Sequence, residues 1–314
     1  GISLFVVPKF RPEGTVLQAN DVATAGIYGK MGQKGYVAAH LMFGEQDACI
    51  GHLVGEPHHG LPYMFQMMNE ARIGTGLLSA GNISGAYYAA LKYANERAQG
   101  RHPSNKDLSQ DQVLIIEHAD VKRMLLMQKA VLEGSIALLL QCSYLADLAL
   151  VGEGVTKDEA HLLLELLTPV AKSFPAEMGT LAISNAMQCL GGAGYTDDFP
   201  IEQYYRDIRI NAIYEGTTTI HGMDLLGRKV SMAGGKAFKL FVAEVQKTMD
   251  MALSKPELKP FVAQLAERLK SLHETTIHLF GLASKEKPEV FLADATLYLE
   301  FFGLVVVSWQ LLKQ

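Results

Sequence analysis

From residue 61 to the C-terminus the apolar residues of this 314-residue chain recur with a helical period, and no other feature narrows its possible folds as much. Met64, Met67, Met68, Ala71, Gly74 or Thr75, Leu78 and Ile83 fall on one face of a helix expected to run to about residue 97. Gly74, Gly76, Gly81 and Gly85 lie inside it, where each glycine costs about 1 kcal/mol relative to alanine. No strand precedes them, so a phosphate loop is excluded and close helix–helix contact is their expected use. A second helix is expected over 112–151, broken at Gly152 and Gly154. Thr156 and Glu159 read as a capping box for the next, and Thr168-Pro169 as a fresh start with proline in the first turn. That helix is expected to reach about residue 190, kinked at Pro175 and ended by Gly191-Gly192. After a boundary at MAGG (232–235), three more helices are expected at 236–253, 257–282 and 288–312.

Residues 1–60 read differently. GISLFVVP, VLQANDVAT and YVAAHLMF are strand-like and separated by Gly/Pro turns. So few strands do not make a covered sheet, so they are expected to be part of a larger β domain. The chain starts at Gly1, inside strand-like sequence and without Met, and is expected to be cut from something longer.

Hydrophobic residues make up 49% of the chain and charged ones only 19%, which predicts a large core and a subunit interface. The net charge of −5 comes with no basic block, arguing against nucleic-acid binding. A membrane helix needs about eighteen apolar residues in a row; the longest run here, 301–309, is half that, so no membrane span is expected. Cys49, Cys142 and Cys189 lie far apart without metal spacing and read as reduced thiols of an intracellular protein. The adjacent His58 and His59 point apart in a turn, so no metal site is expected.

Chemistry concentrates in residues 188–220, QCLGGAGYTDDFPIEQYYRDIRINAIYEGTTTI. There, Glu215 stands between Tyr214 and Gly216, behind the apolar approach 210–213. Desolvation in such a setting would raise a carboxyl pKa toward what a base near neutral pH requires. The other reading is a helix-start glutamate before a threonine cap. GGAGY follows a helix, not a strand, so it is no dinucleotide fingerprint.

IYEGT preceded by QCLGGAGY and RDIRI resembles the C-terminal signature of the acyl-CoA dehydrogenase family, in order and spacing, across this whole stretch. KMGQKG (30–35) and IGHLVGEPHHGL (50–61) are similar to the second half of that family's middle β domain. The resemblance implies a mainly α chain: a partial antiparallel β domain over 1–60, a four-helix-bundle domain over 61–230 and a helical extension over 231–314, with the N-terminal half of the protein absent. The extension resembles that of longer members such as the 3-methylthiopropionyl-CoA dehydrogenases.

By the same resemblance, Glu215 removes the α-proton of an acyl-CoA and FAD accepts the β-hydrogen as hydride, giving a trans-2-enoyl-CoA. Asn69 and Arg72, in MNEARIG, would lie at the acyl-CoA site with Tyr214 and Gly216. Arg97, Gln188, Gly191 and Gly192 would contact FAD of the neighbouring subunit, and Thr217 and Thr219 the flavin. The sequence departs from the pattern in two places. The family's Phe after Arg97 is replaced by Gln99-Gly100 and the polar loop 102–112, and Thr219 stands where many members carry Gln. The implied partners are an acyl-CoA, an electron-transfer flavoprotein and a second or further copy of the chain, as a homodimer or homotetramer; the implied location is the cytoplasm or mitochondrial matrix. An oxygen-using acyl-CoA oxidase and a non-catalytic helical interaction protein share the scaffold and stand as the alternatives.

Overall fold

Helix α3 (Gly154–Leu190) is the element around which the others are arranged: every residue from 166 to 176 is buried, on all sides of the helix. The computed structural model describes residues 1–104, 107 and 109–314, which form two units, 1–71 and 72–314. The polar loop 102–112 therefore falls partly outside the described residues.

The first unit holds three antiparallel ribbons: β1 (Leu4–Val6) with β6 (His52–Val54), β2 (Phe10–Glu13) with β3 (Val16–Ala19), and β4 (Val22–Ile27) with β5 (Ala39–Phe43). A two-stranded ribbon is marginal by itself. Asn20, fully buried, ties the ribbons by donating to the carbonyls of Pro8 and Ile50 at 2.7 and 2.8 Å and accepting from Ile50 N at 3.0 Å.

In the second unit, residues 72–96 belong to α1 (Gly60–Glu96). They are followed by α2 (Ala119–Val151), α3, α4 (Ile201–Ile208) and α5 (Thr218–Asp224), which runs into a π-helical turn, Leu225–Lys229. Then come α6 (Met232–Ala252), α7 (Lys259–Ala283), α8 (Pro288–Phe291) and α9 (Ala295–Lys313). The expected boundary at MAGG is a break in the first turn of α6, where Ala233, Gly234 and Gly235 are all left-handed.

Several expectations are corrected. Helix α2 begins at Ala119 and not near 112, because residues 113–115 pair with 97–100 in a short extended bridge. The Thr156–Glu159 box is not used: Gly154, at φ +54°, turns the chain straight into the helix, so Thr156 already lies in the first turn. Nor does a new helix start at Pro169; α3 continues through both prolines. Proline lacks an N–H and leaves the carbonyl four residues earlier without its helical partner. For Pro175 that carbonyl is Ala171's, and it faces Gly76 of α1, where a Cβ would collide with it. Close packing thus accounts for Gly76, and likewise for Gly85 against the Tyr204 ring, but Gly74 and Gly81 have open space.

The buried stripe of α1 is also not the methionine-led one. Met67 and Leu78 are exposed, and the inward face reads Arg72, Thr75, Gly76, Ser79, Ala80, Ile83, Ala86, Ala90 and Ala94. Small side chains let α1 lie close to α3, and the three polar ones matter below.

Helix α9 is an inner helix. Phe302 and Trp309 are fully buried against Phe241, and Trp309 Nε1 donates to Thr248 Oγ1 at 2.8 Å. By length and average apolarity α2 and the segment Pro288–Lys313 reach what a membrane crossing needs. The expectation of no such segment counted only uninterrupted apolar runs. The apolar character of α9 is used largely in this core.

Gly222 of α5 meets the backbone of α9: a Cβ there would lie 2.6 Å from the Ala295 carbonyl oxygen. Overpacking of this kind costs about 1–3 kcal/mol. Gly222→Ala is expected to lower the unfolding free energy by that amount in thermal or urea denaturation. Gly74→Ala, in a helix interior with open space, is expected to be neutral or stabilising by up to about 1 kcal/mol.

Candidate active site

The sequence between α4 and α5 gives a short 3-10 segment, Arg209–Ala212, and then a turn that no helix can continue. Asn211 fixes its start. It is fully buried and donates to Ser79 Oγ of α1 at 2.9 Å, while Ser79 donates to the Thr75 carbonyl at 3.0 Å. Two left-handed residues in succession then reverse the chain, Glu215 at φ +55° and Gly216 at φ +90°. Glycine accepts this freely, whereas for a glutamate it costs about 1–2 kcal/mol. Thr217 returns to extended backbone and caps α5, although its side chain makes no cap hydrogen bond.

Two side chains reach the backbone of this turn from within the bundle. Lys172 Nζ, on α3, donates to the Gly216 carbonyl at 2.5 Å, and His221 Nε2, on α5, lies 3.0 Å from the Glu215 carbonyl. A carbonyl oxygen only accepts, so Nε2 carries the proton and Nδ1 is a bare acceptor. That Nδ1 is buried and has no hydrogen-bond partner among the described residues. Burial pushes the Lys172 pKa down to about 8, helped by the Arg72 charge and opposed by Glu177 and Glu215. Burial likewise drives His221 down to about 4, with Lys172 and Arg72 acting in the same direction. Near neutral pH the lysine is therefore an ammonium and the histidine a neutral ring. Thr218, next in the chain, donates to Glu177 Oε1 of α3 at 2.5 Å.

The carboxylate itself is not where the sequence reading put it. Glu215 and Ile213 are exposed, whereas Asn211 and Ala212 are buried. The left-handed pair turns the Glu215 carbonyl inward to His221 and leaves the side chain outward. What the turn presents is a carboxylate on an anchored backbone.

Of the residues singled out from sequence, Arg72, Tyr214, Glu215 and Gly216 come together. Arg72 is buried on α1, its Nε without a hydrogen-bond partner among the described residues, close enough to act electrostatically on Lys172 and His221. Tyr214 and Gly216 are half-buried. Asn69 is half-buried on α1, in the first unit. Thr217 and Thr219 are exposed at the start of α5, and Thr219 Oγ1 accepts from Thr296 of α9 at 3.4 Å.

The remaining four lie elsewhere. Gln188, Gly191 and Gly192 are exposed at the far end of α3, sixteen residues or more beyond Lys172, which is about 24 Å along a helix axis. Arg97, exposed just past the end of α1, is about 37 Å from Arg72 by the same rise per residue. Sequence reasoning missed Lys172, His221 and Asn211. Only Lys172 carried a signal, as the one charged residue in the stretch LLTPVAKSFPA.

Comparison with known proteins bears on the family and the fold. Residues 58–230 match the domain model described as acyl-CoA dehydrogenase, C-terminal domain, and residues 241–314 match one described as acetyl-CoA dehydrogenase C-terminal like. The 3-methylmercaptopropionyl-CoA dehydrogenase of Ruegeria pomeroyi is 36% identical over 315 residues, which are 99% of this chain and 52% of that protein. The chain thus spans about half the length of the curated relatives it matches. Among solved structures, Caenorhabditis elegans ACDH-11 in complex with C11-CoA superposes with a TM-score of 0.82 at 21% identity, over 94% of this chain and 47% of that one. An acyl-CoA dehydrogenase of Bacillus anthracis complexed with FAD does so with a TM-score of 0.70 at 20% identity, over 97% and 53%. At such identities the structures speak for the fold alone, but the domain match and the Ruegeria relative speak for ancestry: this chain belongs to the acyl-CoA dehydrogenase family.

Proposed function

We propose that this chain supplies the base and a large part of the binding surface of an FAD-dependent acyl-CoA dehydrogenase. One observation carries the reading: Glu215 is held in a strained left-handed conformation that turns its carboxylate out of the bundle while its backbone is tied inside. Strained backbone of this kind clusters at active sites, and it supports the reading of Glu215 as a functional residue.

In this reading an acyl-CoA thioester lies over the open face of the turn, and the Glu215 carboxylate accepts the proton from its α-carbon. The ligand covers the exposed carboxylate and excludes water from it, so that the desolvation expected from sequence arises in the complex rather than in the free chain. Arg72, on α1 beneath the turn, keeps the region positive. When bound, FAD supplies the acceptor that lets the β-hydrogen leave as hydride.

The residues present suit that cofactor. The Thr217 hydroxyl is not spent on capping α5, the Arg97 guanidinium is exposed and shaped for phosphate, and no atom crowds the backbone at Gly191 and Gly192. Gln188, Gly191, Gly192 and Arg97 lie tens of ångströms along their helices from the Glu215 cluster, which suits the role the family resemblance implies for them, contact with a neighbouring copy's flavin in at least a homodimer. An electron-transfer flavoprotein is the proposed electron acceptor.

Two outcomes are expected of the protein expressed from its complete gene. Glu215→Gln keeps its flavin but loses at least about 100-fold in turnover with saturated acyl-CoAs, because the amide is no base. Turnover comparable to the unaltered enzyme refutes the assignment. In mixed oligomers, Glu215→Gln and Arg97→Ala protomers, each nearly inactive alone, regain about one quarter of normal activity if Arg97 acts across the interface. No recovery on mixing places Arg97 in its own chain's site.

A further inference from the structure

We propose that Lys172 and His221 are positioning residues for Glu215, holding two successive peptide carbonyls of its turn so that the carboxylate projects in one direction. The inference rests on the reading of Glu215 as the base.

Buried Lys172 needs an explanation that packing does not give. It sits among Val170, Ala171 and Phe174, and removing an ammonium from water is costly unless it is hydrogen-bonded. The Gly216 carbonyl supplies that bond, at the point where the chain has left helical geometry and its carbonyls have no backbone partner. His221 does the same for the preceding carbonyl. At Gly216 a Cβ would come within 2.9 Å of His221 Nε2, so glycine there serves the imidazole's approach as well as the positive φ.

The surroundings keep the two donors distinct. The charged and titratable groups near them are Arg72 on α1, Glu177 on α3, Glu215 in the turn and Asp224 on α5. Burial, with the two neighbouring cations, holds His221 neutral, and the Glu215 carbonyl selects the tautomer that carries its proton on Nε2. Lys172 is fixed to α3, His221 to α5, and the Thr218–Glu177 bond joins the same two elements. A left-handed glutamate whose own carbonyl and the next one are both held cannot relax to the more favourable side of φ without straining or breaking one of the two bonds. That is what a positioned base requires, since an error of about 1 Å in a reacting group can cost 100-fold in rate.

The test uses Lys172→Met, His221→Leu, and His221→Gln, whose side-chain amide can donate from nearly the same place as Nε2. Amide hydrogen exchange is read over 213–221 in the protein before any acyl-CoA is added, and kcat and KM are measured per bound flavin. Lys172→Met and His221→Leu are expected to speed exchange in 213–221, leave α2 unchanged, and lower kcat about 10- to 100-fold with KM within about threefold. His221→Gln is expected to recover most of both. Unchanged exchange, or faster exchange with unchanged kcat per flavin, overturns the proposal. If Lys172→Met does not fold, the Leu and Gln variants of His221 decide alone. Glu215→Gln, assayed in parallel, separates the two readings. If it retains turnover the base assignment fails, and the positioning role with it; if it is inactive while the other variants are normal, only the positioning role fails.

Discussion

The burial of α3 on every side between residues 166 and 176 sets the terms for the rest of the second unit. A helix with solvent on one face can leave polar groups to water, whereas here they must find partners inside the protein, which Thr168 and Lys172 do and Ser173 Oγ, among the described residues, does not. Thr168 bonds back to the Leu164 carbonyl at 2.7 Å. Lys172 reaches out to the Gly216 carbonyl, forty-four residues along the chain. The carbonyl left free by Pro175 is met by the bare backbone of Gly76. The last two bring other elements to defined places on α3, and so the central helix positions α1 and the Glu215 turn relative to each other.

The residues beyond 230 contribute to the same end. Helix α5, which begins two residues after Gly216, lies between α3 and α9. On one side it is joined to α3 through Thr218 and Glu177, and on the other Gly222 lets the Ala295 backbone of α9 come into contact. Just beyond it, Lys229 is buried and paired with Glu165 of α3. A buried pair of this kind adds little net stability, but breaking it leaves an uncompensated charge, so it resists sliding of the π-helical turn along α3. The short helix carrying His221 is thereby clamped at its start, its middle and its end.

Much of this was legible in the sequence, and the parts that were not share a cause. Helices could be read from the apolar period, and the family from the order and spacing of residues 188–217. What failed were inferences about local capping and exposure. Pro169 looks like a start because proline suits the first helical turn, yet it lies inside α3 within the fully buried stretch. The Thr156–Glu159 box has the right letters, but Gly154 opens the helix two residues too early for it. The stripe led by Met64 has the right period but not the right face, because α1 uses small residues to approach α3. Lys172 and His221 could not be found by period or motif, since their roles arise only when α3 and α5 come together.

The one misreading at the site itself is instructive. An apolar approach of 210–213 followed by a glutamate suggests a carboxylate drawn into the core, yet the residue drawn in is Asn211, and the glutamate's carbonyl, not its carboxylate, faces the buried histidine. Burying the carboxylate outright would have placed it against Lys172 and Arg72, where a close ion pair would weaken it as a base. Left-handed geometry at Glu215 and Gly216 separates the two tasks. The main chain meets the buried ammonium and imidazole, and the side chain is left to whatever covers the turn. The strain at Glu215 is the physical consequence of that separation, and hydrogen bonds from the buried Lys172 and His221 reach the two carbonyls that follow it.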